Sequence, residues 1–199
     1  MSVVPGLAGL VLAGGQSSRF GSDKAVQTLG GKTLLEWSLA TLDAVCEHVA
    51  VSAQPGSPAA ELAEALGRQV FLDELQHPPG PLNGITGALV WAEKVHRTHL
   101  ATLPCDTPMV TPAVMYALRK GAYAHTPDGP QALCAVWPVT AWNTLIGYMG
   151  RGIHPPVREA LEAAGLRPVY FEDPAPFANV NTPADLAALE AKLSAERKR

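Results

Sequence analysis

The fold is decided by one N-terminal stretch, in which an apolar run stops at paired glycines and gives way to a polar loop with two cations: Leu10-Val11-Leu12-Ala13-Gly14-Gly15-Gln16-Ser17-Ser18-Arg19-Phe20-Gly21-Ser22-Asp23-Lys24. The apolar run from Leu7 to Leu12 is typical of a buried parallel strand. Glycine lacks Cβ, so backbone N–H groups after this strand can approach a ligand closely. Arg19 and Lys24 are suited to phosphate oxygens. The stretch predicts a phosphate-binding loop; the alternative is a plain glycine turn.

Two familiar glycine motifs are absent from this part of the chain. The dinucleotide-binding spacing G-x-G-x-x-G does not occur around Gly14 and Gly15. The segment Gly30-Gly31-Lys32-Thr33 resembles the end of a P-loop, but Val26 stands where that motif needs its first glycine. We interpret this second segment as a turn into a helix.

Length and composition indicate one domain with a substantial core. The chain has 199 residues, of which 47% are hydrophobic and 17% are charged. Its formal net charge is −3, a balance that does not favour nucleic acid or an anionic membrane as a partner. Affinity for an anionic substrate must therefore be local, from Arg19, Lys24 and a bound cation.

The cysteines and the N-terminus point to the cytoplasm. Cys46, Cys105 and Cys134 show no C-x-x-C spacing and cannot all pair, which favours free thiols in a reducing compartment. The first apolar run is too short to span a bilayer and has no basic residue before it. We therefore expect no export signal and no membrane anchor.

Short apolar runs alternate with amphipathic segments through the first 120 residues. The pattern predicts strands over 7–12, 49–51, 70–72 and 99–103, and helices over 32–45, 59–66, 85–96 and 112–120. This alternation predicts right-handed crossovers and a mostly parallel sheet with helices on both faces. Ligands bind beyond the carboxyl ends of such strands, which is where Gly14, Asp73 and Asp106 fall.

The remainder of the chain is less regular. Its pattern predicts strands over 132–137 and 168–171 and helices over 141–149, 155–164 and 184–197, the last with Thr182 as N-cap. Its Gly, Pro and Trp content indicates an elaborated lobe in which an acceptor could sit. We therefore expect a single domain over 1–199, with a nucleotide-binding half at 1–120 and an acceptor-binding half at 121–199.

Asp106 is the candidate metal ligand. It follows an apolar strand and lies between Pro104 and Pro108, so its carboxylate is presented from a stiff loop. Mg²⁺ prefers one or two such oxygen ligands, with water and substrate phosphate completing the shell. The alternative is an Asx turn before Thr107. Asn181 is either a metal or acceptor contact or part of a turn, and Asp73 either binds the base or ribose or ends its strand.

Five short motifs, in order along nearly the whole chain, carry a family resemblance. They are Leu12-Ala13-Gly14-Gly15, then Arg19 with Phe20-Gly21 and Lys24, Gly80-Pro81-Leu82, Pro104-Cys105-Asp106-Thr107-Pro108 and Asn179-Val180-Asn181-Thr182-Pro183. Together they resemble the molybdenum cofactor guanylyltransferases of the nucleotidyltransferase superfamily. The resemblance implies an α/β, Rossmann-like three-layer sandwich with a mostly parallel central sheet.

It also implies an enzyme that uses GTP and Mg²⁺ to place GMP on the terminal phosphate of molybdopterin, releasing pyrophosphate. Transient contacts with cofactor biosynthesis proteins and apo-molybdoenzymes follow from that role. By matching position, the catalytic residues are Arg19, Lys24 and Asp106, and Asn179 and Asn181 lie on the acceptor or metal side. The implied nucleotide-binding set is Leu12, Ala13, Gly14, Gly15, Lys24, Ser52, Asp73, Pro81, Leu82 and Asp106.

Two positions depart from the family pattern, and they leave the identity of the nucleotide base undecided. Ser52 stands where relatives often have Asn, and Asn83 replaces a small residue after Pro81-Leu82. The alternatives are a molybdopterin cytidylyltransferase, another sugar or alcohol phosphate nucleotidyltransferase, or a non-catalytic nucleotide-binding partner in molybdoenzyme assembly.

Overall fold

A computed structural model describes residues 2–14, 23–72 and 80–196. Seven strands form one sheet in the order β5-β4-β1-β6-β8-β7-β9, and a separate two-stranded hairpin is formed by β2 and β3. The strands are β1 Leu7–Leu12, β2 Thr28–Leu29, β3 Lys32–Thr33, β4 His48–Ala53, β5 Gln69–Leu72, β6 His99–Pro104, β7 Ala122–Thr126, β8 Gly129–Pro138 and β9 Arg167–Tyr170.

The predicted first strand is the centre of this sheet. All six residues of β1 are buried, because its neighbours β4 and β6 flank it and helices cover both faces. It runs parallel to both neighbours, with Leu12 opposite Ser52 of β4 and Pro104 of β6. The three strands therefore deliver the loops that follow them to the same edge of the sheet.

Seven helices are described: α1 Leu34–Asp43, α2 Pro58–Ala65, α3 Pro81–Lys94, α4 Pro112–Leu118, α5 Trp142–Met149, α6 Val157–Ala163 and α7 Pro183–Glu196. Apolar residues of α1, α2 and α4 form the core on one face of the sheet, and those of α3, α5 and α6 form the core on the other. The predicted three-layer α/β architecture is thus confirmed. No described helix is both long and apolar enough to cross a membrane.

The second part of the sheet is mixed. β8 pairs antiparallel with both β6 and β7, whereas β9 returns parallel to β7. Thr126 pairs with Gly129, so a two-residue loop joins β7 to β8, and a loop this short can only connect antiparallel strands. Four of the six strand pairings are parallel, as the expectation of a mostly parallel sheet requires.

Two helix starts differ from the sequence pattern. α3 begins at Pro81 rather than Ile85, because proline is well suited to the first helical position, where no N–H is needed. α1 begins after Thr33, which caps it with Glu36 in a reciprocal capping box. The segment Gly30–Thr33 is therefore a hairpin turn leading into a helix cap, in line with the predicted turn.

Candidate active site

The first part of the site lies at the carboxyl end of β1. Leu12 and Ala13 are buried, and the Ala13 N–H donates to the Ser52 carbonyl oxygen over 2.8 Å, which fixes the exit of β1 against that of β4. Gly14 is exposed. The predicted nucleotide contacts Leu12, Ala13, Gly14 and Ser52 therefore lie together at one edge. Gly15, Arg19 and Asp73 lie outside the described residues.

Lys24 is held by the residue before it. Asp23 caps a short 3₁₀ turn over Lys24–Val26, its Oδ1 accepting the Ala25 N–H at 3.0 Å. Its Oδ2 accepts the N–H of Ala59, in the first turn of α2, also at 3.0 Å. One carboxylate therefore joins the lysine segment to the start of α2. Asp23 was not among the predicted site residues, although an aspartate directly before a short turn is a recognisable cap.

Lys24 contacts two of the other predicted polar residues of the site. Its Nζ lies 2.6 Å from Asp106 Oδ2 and 3.3 Å from Asn181 Oδ1. The side chains of Lys24 and Asp106 are only 18% and 19% exposed, so this ion pair is partly shielded from water. Residues far apart in sequence thus meet as a cation, a carboxylate and an amide oxygen.

Asp106 is placed by the backbone around it. Cys105 donates its N–H to the Leu12 carbonyl oxygen at 3.1 Å, and the Asp106 carbonyl oxygen accepts the N–H of Val180 at 2.8 Å. The Thr107 hydroxyl donates to the Pro104 carbonyl oxygen at 3.2 Å. These bonds tie the loop after β6 both to β1 and to the segment before α7.

Asn181 is held by the cap of α7. Asp185 accepts the N–H groups of Asn181 and Thr182 at 3.0 and 2.8 Å, and the Thr182 hydroxyl accepts the Asp185 N–H at 3.2 Å. The N–H of Asn181 and the Thr182 hydroxyl, followed by the N–H of Thr182, hold the pKa of the Asp185 carboxyl below its ordinary value. Thr182 thus acts as predicted, as the start of the last helix.

A hollow of about 240 Å³ opens beside this cluster. We call it the β8 hollow; its lining residues are Pro104, Asp106, Thr107, Pro130, Gln131, Ala132, Leu133, Cys134, Val157, Phe177 and Asn179. It brings Asp106 and the predicted acceptor residue Asn179 together. Asn181 is not in this lining, and its side chain contacts Lys24.

In the Gly80–Leu82 turn, the Leu82 side chain is buried and the Leu82 N–H is bonded to a histidine. Leu82 is fully buried in the core beneath α3, and Pro81 forms the first position of that helix. The N–H of Leu82 lies 3.3 Å from Nε2 of His154, a residue outside the five sequence motifs. No local signal could identify this histidine, because its partner is 72 residues away.

The cysteines are not placed for nucleophilic chemistry. Cys46, Cys105 and Cys134 are all buried free thiols. Burial raises the pKa of Cys105 and that of Cys134 to about 12 and raises the pKa of Cys46 further, so all three are neutral at physiological pH. The site therefore offers positioning and charge rather than a cysteine nucleophile.

With this geometry established, sequence comparison identifies the family. The profile described as "MobA-like NTP transferase domain" matches residues 9–176. The chain belongs to the MobA-like NTP transferase family. Lys24 and Asp106 lie within the matched range, and Asn179 and Asn181 lie just beyond it.

Similar proteins match more than nine-tenths of the chain. A protein named molybdenum cofactor guanylyltransferase from Cereibacter sphaeroides is 36% identical, over 94% of this chain and 97% of its own length. One of the same name from Acidiphilium cryptum is 37% identical, over 93% and 94%. Molybdopterin-guanine dinucleotide biosynthesis protein A from Archaeoglobus fulgidus superposes with a TM-score of 0.72 at 26% identity, covering 94% of this chain and 98% of that one. The MobA-like family thus accounts for both sequence and fold.

Proposed function

We propose that this protein transfers GMP from GTP to the terminal phosphate of molybdopterin, with or without bound molybdenum, and releases pyrophosphate. The product is the molybdopterin guanine dinucleotide cofactor. The observation that carries the proposal is the contact of Lys24 with Asp106 and Asn181 at the sheet edge, beside the β8 hollow. The curated relatives named for guanylyl transfer support GTP as donor.

The reaction needs no covalent enzyme intermediate. An oxygen of the acceptor phosphate bonds to the α-phosphorus of GTP, and the bond from this phosphorus to the oxygen bridging the β-phosphate breaks, so that pyrophosphate leaves. Catalysis of this kind depends on positioning and charge neutralisation. Lys24 would donate to triphosphate oxygens as charge grows on the leaving group. Arg19 is its expected partner in this role.

The donor atoms around Lys24 fit Mg²⁺. Asp106 and Asn181 offer a carboxylate and an amide oxygen within 2.6 and 3.3 Å of the same ammonium nitrogen, and hard oxygens are the ligands that this ion prefers. Within the described ranges, no three His, Cys, Asp or Glu side chains cluster to form an all-protein cage. Asp106 would therefore hold the ion together with substrate phosphates, and the ion would neutralise triphosphate charge.

Each half of the chain would bind one substrate, the nucleotide at 1–120 and the acceptor at 121–199. Leu12, Ala13, Gly14 and Ser52 at the ends of β1 and β4 would contact the nucleotide, with Gly15, Asp73, Pro81 and Leu82 completing the proposed set. The β8 hollow, with Asn179 in its wall, would receive the acceptor. Asp106 lines this hollow and also contacts Lys24, so it lies where the two substrates would meet.

A nucleotide panel tests the proposal. Purified protein is given molybdopterin and Mg²⁺ with GTP, CTP, ATP or UTP, and pyrophosphate release and the dinucleotide product are both measured. We expect turnover with GTP. Strict dependence on CTP would assign the cytidylyl reaction instead, and binding of GTP without turnover would favour a non-catalytic partner. Asp106→Asn protein serves as the negative control.

Location and partners follow from this role. We propose that the protein works in the cytoplasm, where three buried free thiols such as those of Cys46, Cys105 and Cys134 remain reduced. Its product would pass by transient contact to apo-molybdoenzymes, and its substrate would come from other cofactor biosynthesis proteins. Co-purification with and without bound product would test these contacts.

A further inference from the structure

His154 connects the two halves of the domain at the Gly80–Leu82 turn. Its Nδ1 lies 3.1 Å from the Pro155 carbonyl oxygen, and its Nε2 lies 3.3 Å from the Leu82 nitrogen. A carbonyl oxygen only accepts, so Nδ1 carries the ring proton and donates to Pro155. Nε2 is then the acceptor for the Leu82 N–H. The ring therefore bonds its own segment on one side and the start of α3 on the other.

The Leu82 N–H needs such an acceptor. The first N–H groups of a helix have no partner within the helix, and Gly80 at the N-cap has no side chain to supply one. Pro81 has no N–H, and the N–H of Asn83 donates back to the Gly80 carbonyl oxygen at 3.2 Å. His154 thus provides the cap that the glycine cannot, from a distant part of the chain.

The shape of the turn depends on the same ring. Gly80 has a φ of +145°, a conformation that favours glycine. A Cβ at this position would lie 2.2 Å from Nε2 of His154, far inside van der Waals contact. The imidazole thus occupies the space that a side chain at position 80 would fill, and the turn and the ring are matched to each other.

The segment after His154 leads directly to the β8 hollow. Pro155 is buried, Pro155 and Pro156 restrict the backbone, and Val157 lines the hollow together with Asp106. Only two residues therefore separate His154, whose ring caps α3, from Val157 in the wall of the hollow. A shift of this segment would move the Leu82 N–H acceptor.

From this geometry we propose that His154 is a positioning residue, which holds the Gly80–Leu82 turn in the shape that binds the nucleotide and links that turn to the β8 hollow. The assignment of nucleotide and acceptor rests on the proposed function. His154 acts through the backbone of Leu82 and takes no part in the bond-making step. Its loss should therefore weaken nucleotide binding more than it slows the chemical step.

Steady-state kinetics with saturating acceptor test this role. We expect His154→Ala to raise the KM for GTP about five- to tenfold, the effect of one hydrogen bond, and to change kcat less than KM. His154→Gln should recover most of the loss, because its carbonyl oxygen can accept at the place of Nε2. His99→Ala is the matched control: His99 is partly buried, contacts the Thr98 hydroxyl at 3.0 Å and begins β6, at the opposite edge of the sheet.

Amide hydrogen exchange tests the contact without any substrate. The Leu82 N–H should exchange faster in His154→Ala than in the wild type or in His99→Ala, and His154→Gln should restore protection. If His154→Ala does not fold, His154→Leu fills the volume without an acceptor and takes its place. Unchanged exchange at Leu82 would overturn the positioning role, even if GTP turnover is normal. Absence of GTP turnover in the wild type would overturn the proposed function while leaving the exchange result valid.

Discussion

Lys24 Nζ lies 2.6 Å from Asp106 Oδ2, although the two residues are 82 positions apart. The pair joins the 3₁₀ turn over Lys24–Val26 to the loop after β6. Both side chains are mostly shielded from solvent. Removing one partner of a shielded ion pair costs more stability than removing one partner of an exposed pair, because the remaining charge stays partly buried. The functional and structural effects of these residues must therefore be measured separately.

We expect Asp106→Asn to lower guanylyl transfer at least about 100-fold, because it removes the charge proposed to bind Mg²⁺. The amide keeps the size of the side chain, and the backbone bonds to Leu12 and Val180 do not depend on the carboxylate. The thermal midpoint should therefore shift by only a few degrees. Asp43→Asn is the control, since Asp43 forms an ion pair with Arg68 at the far end of α1. Substantial turnover in Asp106→Asn with Mg²⁺ would remove Asp106 from the metal site.

Lys24→Met should lower kcat/KM for GTP about 100-fold or more, because a cation facing the triphosphate is lost. Lys24→Arg should recover only part of this activity, since a guanidinium differs from an ammonium in shape and hydration. Lys32→Met provides the comparison: Lys32 lies 5.5 Å from the Trp37 ring centre, on the β2–β3 hairpin, and should leave turnover unchanged. If Lys24→Met lost stability but kept its turnover per folded molecule, Lys24 would be a structural residue.

The sequence predicted what is encoded locally. Continuous apolar runs identified β1, β4, β5 and β6, and the order of strands and helices then determined which ends share an edge, so that Lys24 and Asp106 could be expected near each other. β7 was missed because Ala122–Thr126 contains small and polar residues and has no continuous apolar run. The β2–β3 hairpin was missed because two-residue strands carry no periodicity.

Contacts between segments that are far apart in the chain could not be predicted, because no local sequence pattern encodes them. His154 meets Leu82 only because α5 and α3 pack on the same face of the sheet, and neither residue has a neighbour in sequence that reveals this. Pro81 and Leu82 were assigned as nucleotide contacts from a motif. The burial of the Leu82 side chain is a property of the packed core, and the motif contains no information about it.

The three thiols should be unreactive in the folded protein. Burial raises the pKa of Cys105 and Cys134 to about 12 and that of Cys46 higher still, so the reactive thiolate is scarce at pH 8. We expect Ellman's reagent to titrate none of them in native protein and all three in guanidinium chloride. Activity should survive the native treatment. Rapid labelling of Cys105 with parallel loss of turnover would instead show that the loop carrying Asp106 opens readily.

Asp185 makes the stability of the protein depend on pH in a defined direction. Hydrogen bonds from Asn181 and Thr182 lower the pKa of its carboxyl in the folded protein, whereas an aspartate in an unfolded chain has a pKa of about 3.9. A group whose pKa is lower when folded adds stability above the unfolded value and loses that contribution as pH falls through the folded value. The difference in free energy of unfolding between wild type and Asp185→Asn should therefore be full at pH 7 and shrink below about pH 4.

The same substitution should act on the site through Asn181. Asp185→Asn weakens the acceptor for the Asn181 N–H, so the Asn181 side chain that contacts Lys24 is less firmly held. At pH 7 we expect a higher KM for GTP and little change in the KM for the acceptor, because Asn181 contacts Lys24 and is not among the residues that line the β8 hollow. Glu64→Gln removes an exposed carboxylate from the surface of α2 and controls for the change in net charge. Equal unfolding curves for wild type and Asp185→Asn across pH 3–7 would show that the cap contributes nothing to stability, and an unchanged KM for GTP would show that the cap does not act on the site.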